Sequence, residues 1–189
     1  MATKMATTAL ERPARWNLPM QLLHWSSAVI LAAVVAYGWW MTEFPARSQR
    51  LFHYGLHGSV GVLLVALMCA RLGWRLVSRE PRVPPGTGGW ERAAARWTHR
   101  ALYVLVFAAG LSGIALSYTF RQPLDVTLLG LWSLPSFAFG DPGFWHEFLE
   151  ELHEVVVAAM LWVCGAHVAA VACHHWVWRD STMRRMLPH

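Results

Sequence analysis

The chain has 189 residues, 56% of them hydrophobic and only 14% charged, with twelve Trp and a mean hydropathy of +0.33. That balance excludes an ordinary water-soluble domain, and the net charge of +5 resides in arginines flanking apolar runs, which argues against nucleic-acid binding. Three cysteines, Cys69, Cys164 and Cys173, odd in number and without CxxC spacing, exclude a disulfide framework and a zinc site.

Residues 1–14 form a polar arm that is expected to be flexible. The first apolar run, about 19–41, contains no Asp, Glu, Lys or Arg and reaches the ~20 residues that a helix needs to cross about 30 Å of hydrocarbon. It is longer than a signal-peptide core and no A-x-A-like site follows, so it is read as a retained span. The second run, about 54–77, carries Arg71 and Arg75 near one end, where long side chains reach headgroups. The Pro/Gly-rich stretch SREPRVPPGTGGWER leads to the third run, about 101–120. The segment from Arg121 to Glu151, with Trp132 to Phe139 along the interface, leads to the fourth, about 155–178. Backbone groups in lipid must be satisfied within their own segment, and no run alternates as a barrel strand would. The expected fold is an all-α integral membrane protein, a four-transmembrane-helix bundle in a single domain over 1–189.

Orientation follows from the basic residues. The N-terminal arm, the segment from Arg71 to Arg100 and the tail from Arg179 hold thirteen of the sixteen Lys and Arg, and with four spans these lie on one side. The positive-inside rule makes that side cytoplasmic, with both termini inside. The other side keeps Arg47, Arg50 and Arg121 with seven of the eleven acids.

Ten histidines are the informative residues, because ionisable groups within spans are costly and mark sites or pathways. His24 enters span one, His57 opens span two, and His153 and His167 lie on span four. A separation of fourteen falls only ~40° short of four full turns, and the rise is about 21 Å, so the last two share a face at opposite depths. Following the chain direction, His24 and His167 meet at the cytoplasmic depth, and His57 and His153 at the outer depth. Each pair bridges two helices as an iron porphyrin with two axial imidazoles requires. Small residues beside them (Gly55, Gly58, Gly61, Ala158, Gly165, Ala166) would let a flat macrocycle approach. The absence of C-x-x-C-H means that any haem is held by coordination alone. A His-lined metal or proton pathway is the rival reading, although spans one, three and four supply no carboxylate to it.

The order of motifs, HW in span one, RSQR leading to His57, THRALY opening span three, then HE, GAH, CHH and W-x-D-x-T-x-x-R-M, resembles the bacterial cytochrome b561 family over roughly residues 15–188. The resemblance implies two b haems enclosed by the bundle, with His24, His57, His153 and His167 as iron ligands. It also implies oxidation of superoxide on the periplasmic side and reduction of ubiquinone in the membrane. An anionic donor calls for a basic outer surface, for which Arg47, Arg50 and Arg121 are the candidates, opposed by Asp141, Glu147, Glu150 and Glu151. His99 and His174 stand where a proton can be exchanged with a quinone oxygen at the inner end. His53, His146, His175 and His189 are read as surface or interface residues. A ligand at His146 would lie about 31 Å from His167, too far for two haems within about 30 Å of hydrocarbon. Two other functions stay open: a cytochrome b subunit relaying electrons between a periplasmic dehydrogenase or hydrogenase and quinone, and a non-redox transporter or scaffold.

Overall fold

The computed structural model describes residues 15–81, 87–122, 124–135 and 143–187. Four long helices follow one another: α1 Leu18–Glu43, α2 Arg50–Val77, α3 Gly89–Ser117 and α4 Gly143–Ala172, the last continuing as a π-helical turn over Cys173–Val177. All four are long and apolar enough to cross a membrane. Large apolar side chains such as Val29, Leu111, Trp162 and Val168 stand exposed around the bundle, where lipid is the solvent that suits them. The arm 1–14 lies outside the described residues, as do His189, Asp141 and Phe139.

Local chemistry sets the helix ends. Asn17 caps α1, its side-chain oxygen accepting the Met20 N–H at 3.2 Å, with Pro19 in the first turn, where its missing N–H costs nothing. At the start of α3 the Glu91 carboxylate accepts the Gly88 N–H at 2.9 Å. Two helices extend well beyond the apolar runs that announce them. α3 begins at Gly89 rather than 101, and α4 at Gly143 rather than 155. The added turns, WERAAARWTHR and FWHEFLEELHE, are rich in Ala, Arg, Glu and Leu, which favour helix while lowering hydropathy. α3 also ends at Ser117, three residues short of 120.

α1 packs against α2, α2 against α3 and α3 against α4. Val34, Leu64, Met68, Val106 and Met160, at least one from each helix, form the core at mid-height. One end of the bundle gathers the chain's terminal segments. There Trp16 N–H bonds to the Arg185 carbonyl, Trp25 Nε1 to the Met186 carbonyl at 2.7 Å, and Trp74 Nε1 to the Asn17 side chain at 3.0 Å. We call this the terminal end.

At the opposite end a two-stranded antiparallel hairpin, β1 Thr127–Leu128 and β2 Trp132–Ser133, turns through Leu129 (φ 54°) and Gly130 (φ 68°). The hairpin is seated on α2. Thr127 N–H donates to Ser59 Oγ at 2.9 Å, and the chain before β1 presses on two glycines. A Cβ on Gly55 would sit 2.9 Å from the Asp125 carbonyl oxygen, and one on Gly58 3.0 Å from a Val126 methyl. These glycines therefore receive the 125–126 segment rather than a flat macrocycle. Gly61 and Gly165, by contrast, have nothing within 4 Å of such a Cβ.

Candidate functional site

Two histidine clusters lie above and below the mid-height core. At the hairpin end, His57 of α2 and His153 of α4 face each other with ring centres 6.4 Å apart and planes at 86°. Glycines on the other two helices make room for both rings. A Cβ on Gly38 of α1 would sit 2.9 Å from His57 Cε1, and one on Gly113 of α3 3.1 Å from His153 Cε1. All four helices thus contribute to this cluster.

The hydrogen bonds of Ser112 suit one tautomer of His153. Ser112 Oγ gives its one proton to the Ala109 carbonyl at 3.0 Å and lies 3.0 Å from His153 Nδ1, so it accepts the Nδ1 proton. The lone pair of His153 is then at Nε2, the form in which histidine binds a metal. His57 Nδ1 is buried without a hydrogen-bond partner. Metal–imidazole bonds of about 2 Å, with roughly 1 Å from each ring centre to its nitrogen, put two opposed ligand rings about 6 Å apart. The 6.4 Å separation fits one metal between them. Among the described residues no three His, Cys, Asp or Glu side chains gather as a bare-ion site. A metal held by these two imidazoles would have to bring its remaining ligands with it, as haem iron does.

The terminal end holds a different arrangement. His167 of α4 lies beside His99 of α3, with ring centres 5.3 Å apart, and His24 of α1 is near enough to both to interact electrostatically. His24 Nδ1 is 2.8 Å from the Arg71 guanidinium, which also reaches Ser27 Oγ at 3.4 Å. Arg71 was expected among the headgroups; it turns inward, while Arg75, one turn on, pairs with Glu80 at 3.0 Å and covers the Trp16 ring.

Other candidates are dispersed. His174, in the π turn, is hydrogen-bonded through Nδ1 to Asp180 and packs on Trp178 with ring centres 4.5 Å apart. Asp180 also accepts the Thr182 N–H at 2.7 Å. Burial alone would raise the Asp180 carboxyl, but the hydrogen bonds from the Thr182 backbone and His174 outweigh it and hold it below its ordinary range. Arg47 and Arg121 are exposed at the hairpin end, and Arg50 donates to the Thr42 carbonyl at 3.2 Å. Arg121, Gln122, His146 and Glu147 line a cleft of about 480 Å³ there. His53 and His146, expected at the surface or interface, are half-buried and bonded, to Tyr37 (2.6 Å) and Thr119 (2.8 Å). Gly38, Gly113 and Ser112 escape sequence reading, because each acts across a helix contact that one chain's pattern does not reveal.

Comparison with known proteins adds a further finding. A family model described as prokaryotic cytochrome b561 matches residues 15–189. The chain is 32% identical over 177 residues to cytochrome b561 homolog 2 of Escherichia coli (strain K12), covering 93% of this chain and 92% of that protein. It is 29% identical over 184 residues to cytochrome b561 homolog 1 of the same organism, covering 92% and 97%. A probable superoxide oxidase CybB of Yersinia pestis is 27% identical over 174 residues, covering 88% and 92%.

Proposed function

This chain belongs to the prokaryotic cytochrome b561 family of membrane electron-transfer proteins, and from that premise we propose that it is a di-haem b oxidoreductase taking electrons from superoxide and reducing ubiquinone. The observation that carries the reading is the His57–His153 pair, with ring centres 6.4 Å apart. Haem, when bound, supplies reversible one-electron chemistry. His57 and His153 hold one haem at the hairpin end; His24 and His167 hold a second at the terminal end. By the distribution of arginine the terminal end is cytoplasmic and the hairpin end periplasmic, in a bacterial inner membrane.

Superoxide as donor draws support from the relative named a probable superoxide oxidase. At the hairpin end Arg47, Arg50 and Arg121 attract an anion, opposed by exposed Glu147, Glu150 and Glu151. Two superoxide anions each lose one electron to become dioxygen, and a quinone gains two electrons and two protons. At the terminal end His174 relays a proton: Asp180 holds its Nδ1–H, so Nε2 takes a proton from water and passes it to a quinone oxygen. His99, beside His167, is the second such group.

A relay subunit for a periplasmic dehydrogenase is the second reading. It is favoured by the exposed Phe144, Trp145 and Phe148 interleaved with acids at the hairpin end of α4. A reduced-minus-oxidised spectrum of the purified protein, then exposure to superoxide with ubiquinone, tests both. A b-type band with quinol formation supports the first reading, and a b-type band without haem reduction by superoxide leaves the second. No b-type band defeats both.

A further inference from the structure

Arg71 lies inside α2, a turn and a half before its end, with its guanidinium directed into the bundle. It donates to His24 Nδ1 and Ser27 Oγ, and its Cζ lies 5.5 Å from the centre of the Tyr103 ring. Its Nε is buried without an acceptor, and so is the Tyr103 hydroxyl. The ion pairs found among the described residues, Arg75–Glu80 and His174–Asp180, lie elsewhere. A guanidinium keeps its proton in proteins, so a charge at this depth calls for an anion. Two donors without acceptors beside it are where such an anion would be received, and the planar fork suits a carboxylate.

His24 leads to the same conclusion. A guanidinium has no lone pair to offer, so Nδ1 is the acceptor and a neutral His24 carries its proton on Nε2. A ring in that state has no Nε2 lone pair for a metal. Coordination by His24 therefore needs Arg71 to release Nδ1 and find another acceptor nearby. Haem carries two carboxylates on its rim. We propose that Arg71, together with the Tyr103 hydroxyl, is the receptor for a carboxylate of the haem at the terminal end, and that engaging it frees His24 to coordinate. The inference rests on the di-haem reading. A lipid phosphate offers the same oxyanion chemistry, but Arg75, about 6 Å further along the helix axis, already stands at the level of Trp16 and Glu80.

The test is a haem titration of the full-length His153→Ala protein, in which the hairpin-end site is disabled, followed by Soret absorbance. Ferric haem b is compared with its dimethyl ester, in which both carboxylates are masked. Arg71→Gln should weaken haem binding roughly tenfold to a hundredfold, the loss expected for a charge-assisted hydrogen bond. Esterification should weaken binding to the parent protein by a similar factor and add little in Arg71→Gln. Tyr103→Phe, which removes only the hydroxyl, should give a smaller loss and reduce the sensitivity to esterification. Arg71→Lys, keeping charge without the fork, should fall between parent and Arg71→Gln. Independent, multiplying effects of mutation and esterification would overturn the proposal, as would a dependence of the Arg71 effect on anionic lipid in nanodiscs with none on esterification. If the parent protein takes up no haem, the di-haem reading fails as well; if it takes up haem and the coupling is absent, only this inference fails.

Discussion

Ser112 Oγ stands 3.0 Å from His153 Nδ1 and 3.0 Å from the Ala109 carbonyl; donating to the carbonyl, it accepts the Nδ1 proton in the tautomer that leaves Nε2 free. In the proposed haem site, one hydroxyl on α3 would thereby orient the ligand ring on α4. Outer-shell partners of this kind typically contribute tenfold to a hundredfold in metal affinity. Ser112→Ala should weaken haem at the hairpin end by about that factor, while Ser112→Thr, which retains the hydroxyl, should recover part of it. Haem titration monitored at the Soret band measures both; an unchanged affinity in Ser112→Ala would show that the hydroxyl does not orient the ring.

The two histidines of α4 lie fourteen residues apart and in different clusters. His153→Ala should remove chiefly the hairpin-end haem and His167→Ala chiefly the terminal-end haem. Haem-to-protein ratio and resolved redox midpoints separate the two losses. Retention of both haems in both variants would refute the ligand assignment.

How much of this was legible in the sequence depends on where each residue acts. Long apolar runs announce all four spans, because lipid selects composition over whole segments. Hydropathy loses sight of the first turns of α3 and α4, where Arg and Glu keep the helix going outside the hydrocarbon. Depth and chain direction alone bring His57 to His153. They do not foretell that Arg71 turns inward to His24 or that His99 comes alongside His167, choices made by rotamers and helix rotation. Gly55 and Gly58 were readable as small residues but not as a seat for the 125–126 segment, since that contact joins positions about seventy residues apart.

Gly38 and Gly113 provide a steric prediction. A methyl at Gly38 would stand 2.9 Å from His57 Cε1, and one at Gly113 3.1 Å from His153 Cε1. Either ring must then move by a few tenths of an ångström or more. Gly38→Ala and Gly113→Ala should lower occupancy at the hairpin end and spare the terminal end. Gly73→Ala, where nothing lies within 4 Å, should leave both ends unchanged. Haem content of the three variants, with thermal stability as the control for folding, checks the selectivity.

Asp180 sets a pH dependence at the terminal end. Its carboxyl is held below its ordinary value of 3.8, because hydrogen bonds from Thr182 and His174 outweigh the cost of burial. A carboxylate with a depressed folded value stabilises the clasped tail fully above 3.8, and that contribution fades as pH falls through the folded value. The clasp of His174, Asp180 and Thr182 should therefore persist across neutral and mildly acidic pH and open only in strong acid. Asp180→Asn keeps the shape and removes the titration, so it should weaken the clasp already at neutral pH and abolish the acid step. Amide exchange of residues 180–186 reports the opening. In the same variant, slower quinone reduction with unaltered haem reduction by superoxide would separate the orientation of His174 from any effect on the haems. Equal exchange in parent and variant at neutral pH would show that Asp180 does not hold the tail.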